Sequence, residues 1–127
     1  MKILLDTSRL SDALAEVDDV LDQLEVAEVV HVPAIVLGEI RSGFLRGRRR
    51  ADNEARLAWF LAQNGINTLA IDARASHRFA SLHQTMRVRD RPIPTNDLWI
   101  ASLALEHGLV LYTRDAHFAE VPGLASM

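Results

Sequence analysis

The sequence predicts an α/β protein, a three-layer α/β/α sandwich around a central, mainly parallel sheet of four to five strands. Three observations carry this. Short apolar or β-branched runs alternate with helical-period segments of ten or more residues, the pattern of right-handed βαβ units. Asp, Thr, Pro and Gly punctuate the chain where one type of segment gives way to the next. The length, 127 residues, is close to the usual size of one domain. No internal repeat, low-complexity tract or linker interrupts it, so a single domain over residues 1–127 is expected.

The elements follow in order. Ile3-Leu4-Leu5 ends at Asp6 and reads as a buried strand. Thr7 or Ser8 suits the N-cap of the helix behind it, with Leu10, Leu14 and Val17 on one face. Val20, Leu21 and Leu24 carry the same period on through an acidic stretch. Glu28-Val29-Val30-His31-Val32 is a second strand, stopped by Pro33, which also suits the entrance of a helix over about 34–45. Val36, Leu37, Ile40 and Phe44 form that helix's apolar stripe, and Gly47 with the arginines around it ends it. A third helix is expected over roughly 53–64, stopped by Gly65, then a strand Thr68-Leu69-Ala70-Ile71. Asp72 caps a helix from Ala73 to about Met86 that presents Phe79, Leu82 and Met86. A polar loop with Pro92 and Pro94 leads to a helix capped by Thr95 or Asn96 and ended by Gly108. Leu109–Tyr112 is the fourth strand, and residues near Leu124 are expected to add a short edge strand.

Composition limits the chemistry. With no cysteine, a disulfide framework, a thiolate zinc site, an iron–sulfur cluster and a thiol nucleophile are excluded. An acid at position 6 breaks any signal-peptide apolar region, and no apolar run approaches the ~20 residues that span a bilayer. A soluble, cytoplasmic protein with no membrane partner is therefore expected. The formal net charge of −3 argues against nucleic acid as a partner, but the charges are segregated. Between Ser11 and Glu28 every charged residue is acidic, and between Arg41 and Arg50 every one is basic. Lys2 is the single lysine, so the basic residues are almost all arginine, the side chain suited to bidentate phosphate contact.

Four acids are expected on one rim of the sheet, outside the carboxyl ends of the strands, where open α/β sheets bind ligands. Asp6 follows the first strand and Asp115 lies three residues past the fourth. Asp97 opens the helix that leads into that fourth strand, and Glu39 borders the buried stripe of the helix after the second. Clustered carboxylates repel, and a bound divalent cation or a raised pKa relieves them. Oxygen ligands without Cys or clustered His select Mg²⁺ or Mn²⁺, ions able to assist phosphodiester hydrolysis. Thr7, Ser8, Asn96 and Thr113 add neutral oxygens. Taken singly, each acid also fits a plain structural role: Asp6, Asp97 and Asp115 as helix caps, Glu39 as a partner for Arg41 or Arg9.

Leu4-Leu5-Asp6-Thr7-Ser8, Leu37-Gly38-Glu39-Ile40, Pro94-Thr95-Asn96-Asp97-Leu98-Trp99-Ile100-Ala101 and Thr113-Arg114-Asp115 stand in the order and spacing of a PIN domain. Over essentially its whole length the chain resembles a VapC-type toxin ribonuclease of a toxin–antitoxin pair. The resemblance implies an endoribonuclease dependent on Mg²⁺ or Mn²⁺, one or two ions, with Asp6, Glu39, Asp97 and Asp115 as catalytic and metal-binding acids. It also implies Ser8, Asn96 and Thr113 as supporting polar residues, an RNA substrate, a homodimer and an inhibiting antitoxin protein. Ser8 stands where the family usually has Asn, a shorter group that keeps an oxygen.

Arg46, Arg48, Arg89, Arg91 and Arg114 are the candidates for contact with RNA phosphates; the Arg46–Arg50 run fits a solvated helix end equally well. The five histidines show no metal spacing; His117, two residues after Asp115, is within reach of the site, but a surface-loop residue is the favoured reading. Trp59 and Phe60 suit a core or dimer face, and the Val36–Phe44 stripe is a candidate groove for an antitoxin helix. Three other functions compete with the toxin. A PIN-like module that binds RNA or protein without cleaving keeps the same residues, as does an RNA-processing nuclease outside a toxin–antitoxin pair. An aspartyl-phosphate enzyme fits poorly, because Ser8 replaces the second Asp and Lys2 lies inside the first strand.

Overall fold

The structure, a computed structural model, describes all 127 residues. Its elements run β1 (Lys2–Leu5), α1 (Thr7–Leu14), α2 (Asp18–Glu25), β2 (Val29–Pro33), α3 (Ala34–Arg46), α4 (Arg50–Leu61), β3 (Ile66–Leu69), α5 (Ala73–Val88), α6 (Thr95–His107) and β4 (Val110–Tyr112), then a 3₁₀ helix (Ala116–Glu120). The four strands are all parallel, in the order β3-β2-β1-β4. This is the expected α/β/α sandwich. Its fifth strand shrinks to a single parallel bridge, Leu111 to Ser126, so the edge lies slightly beyond Leu124.

The continuous apolar run of β1 has its explanation in this order. A strand with parallel neighbours on both sides and helices on both faces has no wet face, so Ile3, Leu4 and Leu5 are all fully buried. At the edge, β3 keeps only Ile66 and Leu69 half-buried and turns Asn67 and Thr68 outward. It starts two residues earlier than expected because Gly65, at φ +80°, redirects the chain at once, and its carbonyl accepts from the Val30 amide at 2.8 Å.

Three further expectations are corrected. The helical period after Asp6 is two helices, not one. Glu16 takes a left-handed φ of 58°, its amide donating to Ala13 O and that of Val17 to Asp12 O, the paired bonds of a Schellman stop. The third helix starts at Arg50 and ends at Leu61, about three residues early, because Leu57 and Phe60 must face the core and Arg50 already lies in its first turn. Most of the Val36–Phe44 stripe is core and not an open groove: Val36, Ile40 and Phe44 are buried and Leu37 is partly covered. Only Ile40 and Phe44 reach a small cleft of about 230 Å³, shared with Leu14 and Arg56. No helix is long and apolar enough to cross a membrane.

Candidate active site

Asp6 leaves the end of β1 as the N-cap of α1, the role expected of Thr7 or Ser8. Its Oδ1 accepts from the Arg9 amide and from Ser8 Oγ, both at 2.9 Å, and its Oδ2 accepts from Thr113 Oγ1. Only 5% of it is exposed. A buried carboxylate costs several kcal/mol unless donors surround it, at roughly 1.5–3 kcal/mol for each hydrogen bond to a charged group, and here three donors do.

Thr113, just past β4, connects this wall to the next. Its Oγ1 also accepts from the Asp115 amide at 2.9 Å. Asp115 caps the 3₁₀ helix, its Oδ1 accepting from the His117 amide at 3.3 Å and lying 2.7 Å from His117 Nδ1. The other ring nitrogen, Nε2, lies 2.8 Å from Oδ2 of Asp97. Asp97, Asp115 and His117 thus bring three potential ligand atoms within 4.8 Å of one another. Thr95 and Asn96 make no side-chain cap for α6; Pro94 stands at the N-cap, and Asp97 occupies the first turn.

Glu39 faces the same rim from α3, where Thr7 Oγ1 donates to its Oε1 at 2.8 Å. With Ile35, Gly38, Ser42, Arg46 and Asn96 it lines a cleft of about 480 Å³. Burial pushes the Asp97 carboxyl above its ordinary pKa; His117 opposes this, and the charges of Glu39 and Asp115 reinforce it.

A sequence model of the PIN domain matches residues 3–124. The chain belongs to the PIN-domain family. Its resemblance within that family is to the VapC group. It is 31% identical to Ribonuclease VapC5 of Mycobacterium tuberculosis over 107 residues, 84% of this chain and 79% of that one. It is 32% identical to Ribonuclease VapC4 of the same organism over 91 residues, 72% of this chain and 70% of that one. Among solved structures it superposes on VapBC2 from Rickettsia felis, bound there to a promoter DNA fragment, with a TM-score of 0.92 at 24% identity, over 100% of this chain and 98% of that one. The VapBC-5 structure of Mycobacterium tuberculosis, from the VapBC family of toxin–antitoxin systems, gives a TM-score of 0.72 at 29% identity, over 99% and 95% of the two chains.

In this PIN domain Asp6, Asp115 and Asp97 are joined through Thr113 and His117 at the ends of β1 and β4 and the start of α6. Glu39, from the second turn of α3, joins the same rim through Thr7. Of the four acids only Asp97 and Asp115 come close enough, with His117, to share one ion. The polar residues divide. Ser8 and Thr113 bond directly to Asp6, whereas Asn96 lines the cleft beside Glu39. The arginines divide too. Arg46 lines the cleft and donates to Ser42 Oγ at 3.1 Å, and Arg48, Arg89 and Arg91 are exposed. Arg114 is drawn 3.1 Å from Asp12, which also holds Arg9 at 3.3 Å. Arg9 in turn lies 4.5 Å above the Tyr112 ring. Glu39 pairs with neither Arg41 nor Arg9, since Arg41 binds Glu54 instead.

Three residues of the site have roles that the sequence does not single out. His117, two residues after Asp115 and before the buried Phe118, is the bridge between two of the acids and not a free surface-loop histidine. Thr7 is a neutral oxygen in the sequence, and its partner Glu39 is set by the fold. Asp12 belongs to the acidic stretch, and no local pattern marks it as the anchor of Arg9 and Arg114.

Proposed function

We propose that this chain is the toxin of a VapBC-type pair, a metal-dependent endoribonuclease hydrolysing RNA phosphodiester bonds. The observation that carries the reading is one connected chain of polar contacts, Asp6–Thr113–Asp115–His117–Asp97, at the carboxyl rim of a PIN sheet, with Glu39 lining the cleft beside Asn96. The VapC names of its relatives support the RNA substrate and the toxin role.

Asp97, Asp115, Glu39 and Asp6 would hold Mg²⁺ or Mn²⁺, one ion or two, for the donor set is rich in carboxylate oxygen and contains no thiolate. Such an ion, when bound, lowers the pKa of water and offsets charge on the phosphoryl oxygens. The chain's own groups supply the frame. Thr113 and Ser8 fix the Asp6 carboxylate, and Thr7 fixes Glu39. Asn96 and Arg46 face the cleft, where amide and guanidinium suit a ribose–phosphate backbone. Arg48, Arg89, Arg91 and Arg114 extend the cationic surface available to RNA phosphates. In the net reaction a water oxygen bonds to phosphorus, the bond from phosphorus to the leaving ribose oxygen breaks, and a proton passes to that oxygen.

A homodimer and an antitoxin complete the proposal. For the antitoxin, the broader of the two partly apolar clefts on this flank lies between α1, α2 and α4. Ala13, Leu14, Leu21, Ala55 and Phe60 line a groove of about 510 Å³ there, beside Trp59, which is 68% exposed.

Cleavage of an RNA pool with Mg²⁺ or Mn²⁺ tests the activity. Asp6→Asn and Asp97→Asn are each expected to reduce it by about 100-fold or more while the circular dichroism spectrum stays native. Undiminished cleavage in both variants overturns the reading. No cleavage by the wild type, together with no rise in melting temperature on adding Mn²⁺, favours a PIN module that only binds.

A further inference from the structure

We infer that His117 is itself a metal ligand, through Nε2, with Asp115 as the carboxylate that orients it. This rests on the metal-dependent reading above and adds a nitrogen donor to a site otherwise made of oxygen.

The ring is held before any ion arrives. Asp115 Oδ1 meets His117 twice, at the backbone amide, 3.3 Å, and at Nδ1, 2.7 Å. Phe118, the next residue, is fully buried and lies 4.8 Å from the imidazole between centroids, which anchors the short 3₁₀ helix carrying both. A carboxylate on one imidazole nitrogen is the usual support of a metal-bound histidine, because it settles the tautomer and aims the other nitrogen. That other nitrogen points at Asp97 Oδ2, 2.8 Å away. Two donor atoms at right angles around a cation, each about 2.1 Å from it, stand about 3.0 Å apart, so a small opening of this pair admits an ion. Asp97 makes no other side-chain hydrogen bond, which leaves its carboxylate to the same cation.

The consequence is selectivity. Imidazole nitrogen suits Mn²⁺ and later transition ions, whereas Mg²⁺ favours oxygen. The site is therefore expected to prefer Mn²⁺ over Mg²⁺ more strongly than four carboxylates alone would.

Electron paramagnetic resonance of Mn²⁺ added to the purified protein tests this without reference to activity. Bound Mn²⁺ should show ¹⁴N coupling from a directly ligated imidazole, and His117→Gln should abolish that coupling and weaken Mn²⁺ binding by about 10–100-fold, Mg²⁺ binding much less. Wild-type protein carrying ¹⁵N-histidine should replace the ¹⁴N pattern with a ¹⁵N one, a measurement that needs no variant to fold. Mn²⁺ bound with no nitrogen coupling, or bound equally well after His117→Gln, overturns the role of His117 and leaves the carboxylate site standing. Failure of the wild type to bind Mn²⁺ at all overturns both.

Discussion

Asp6 and Asp97 sit on the same rim, yet the protein treats them oppositely. Asp6 is buried at the junction of β1 and α1 and accepts from three donors, a backbone amide and two hydroxyls. Asp97 is half-buried in the first turn of α6 and meets a single partner, the His117 ring. Neutral donors hold a carboxylate in one orientation, so Asp6 is fixed in place by the fold itself. At Asp97 burial and two neighbouring acids leave the charge incompletely compensated, and its pKa rises accordingly. The two acids are thus held differently: Asp6 is fixed in one orientation by three donors, whereas Asp97, with one partner, carries a charge that its surroundings disfavour.

Perturbing each side should sharpen this difference. On the framework side, Thr113→Val removes the donor to Asp6 Oδ2 and the acceptor of the Asp115 amide together. It is expected to cost about 1–3 kcal/mol in urea unfolding, with cleavage falling as well. A loss below about 0.5 kcal/mol would mean that Asp6 does not depend on this bond. Thr7→Val takes away the one side-chain donor to Glu39 and should cost less, about 1 kcal/mol.

On the open side the sign reverses. The folded-state pKa of Asp97 lies above its unfolded value, so its favourable contribution holds at low pH and is lost as pH rises through the folded pKa. With chelator present, Asp97→Asn should therefore gain stability relative to wild type as the pH is raised across that range, by less than the framework variants lose. Thermal melts at several pH values read the difference. A constant offset, or a loss growing with pH, would contradict an uncompensated charge at this position.

The smallest effect concerns the break between α1 and α2. Glu16 holds a positive φ that favours glycine, and its side chain is exposed. Glu16→Gly is expected to stabilise by about 0.5 kcal/mol in urea unfolding, near the lower end of the strain a non-glycine residue carries there.

Much of this was legible in the residues. The strand–helix alternation, the caps at Asp72 and Asp115 and the glycine stop at Gly108 are local signals, written in neighbours a few positions apart, and each stands where it was read. The four acids could be placed on one rim because a parallel sheet sends every strand's carboxyl end to the same side. What could not be read was the stop at Glu16, since no glycine marks it. The early start of α4 was equally hidden, because core packing of Leu57 and Phe60 sets its phase.

By itself, then, the sequence determined the fold class and which carboxylates follow the strand ends, because hydrophobic period and turn residues are properties of short stretches. Only the tertiary structure decided how each acid is held. Thr113 reaches Asp6 across 107 residues, Thr7 reaches Glu39 across 32, and His117 closes on Asp97 across 20. Hydrogen bonds depend on distance and direction in space, and separations of that size along the chain become contacts only once the sheet has brought the ends of β1 and β4 together.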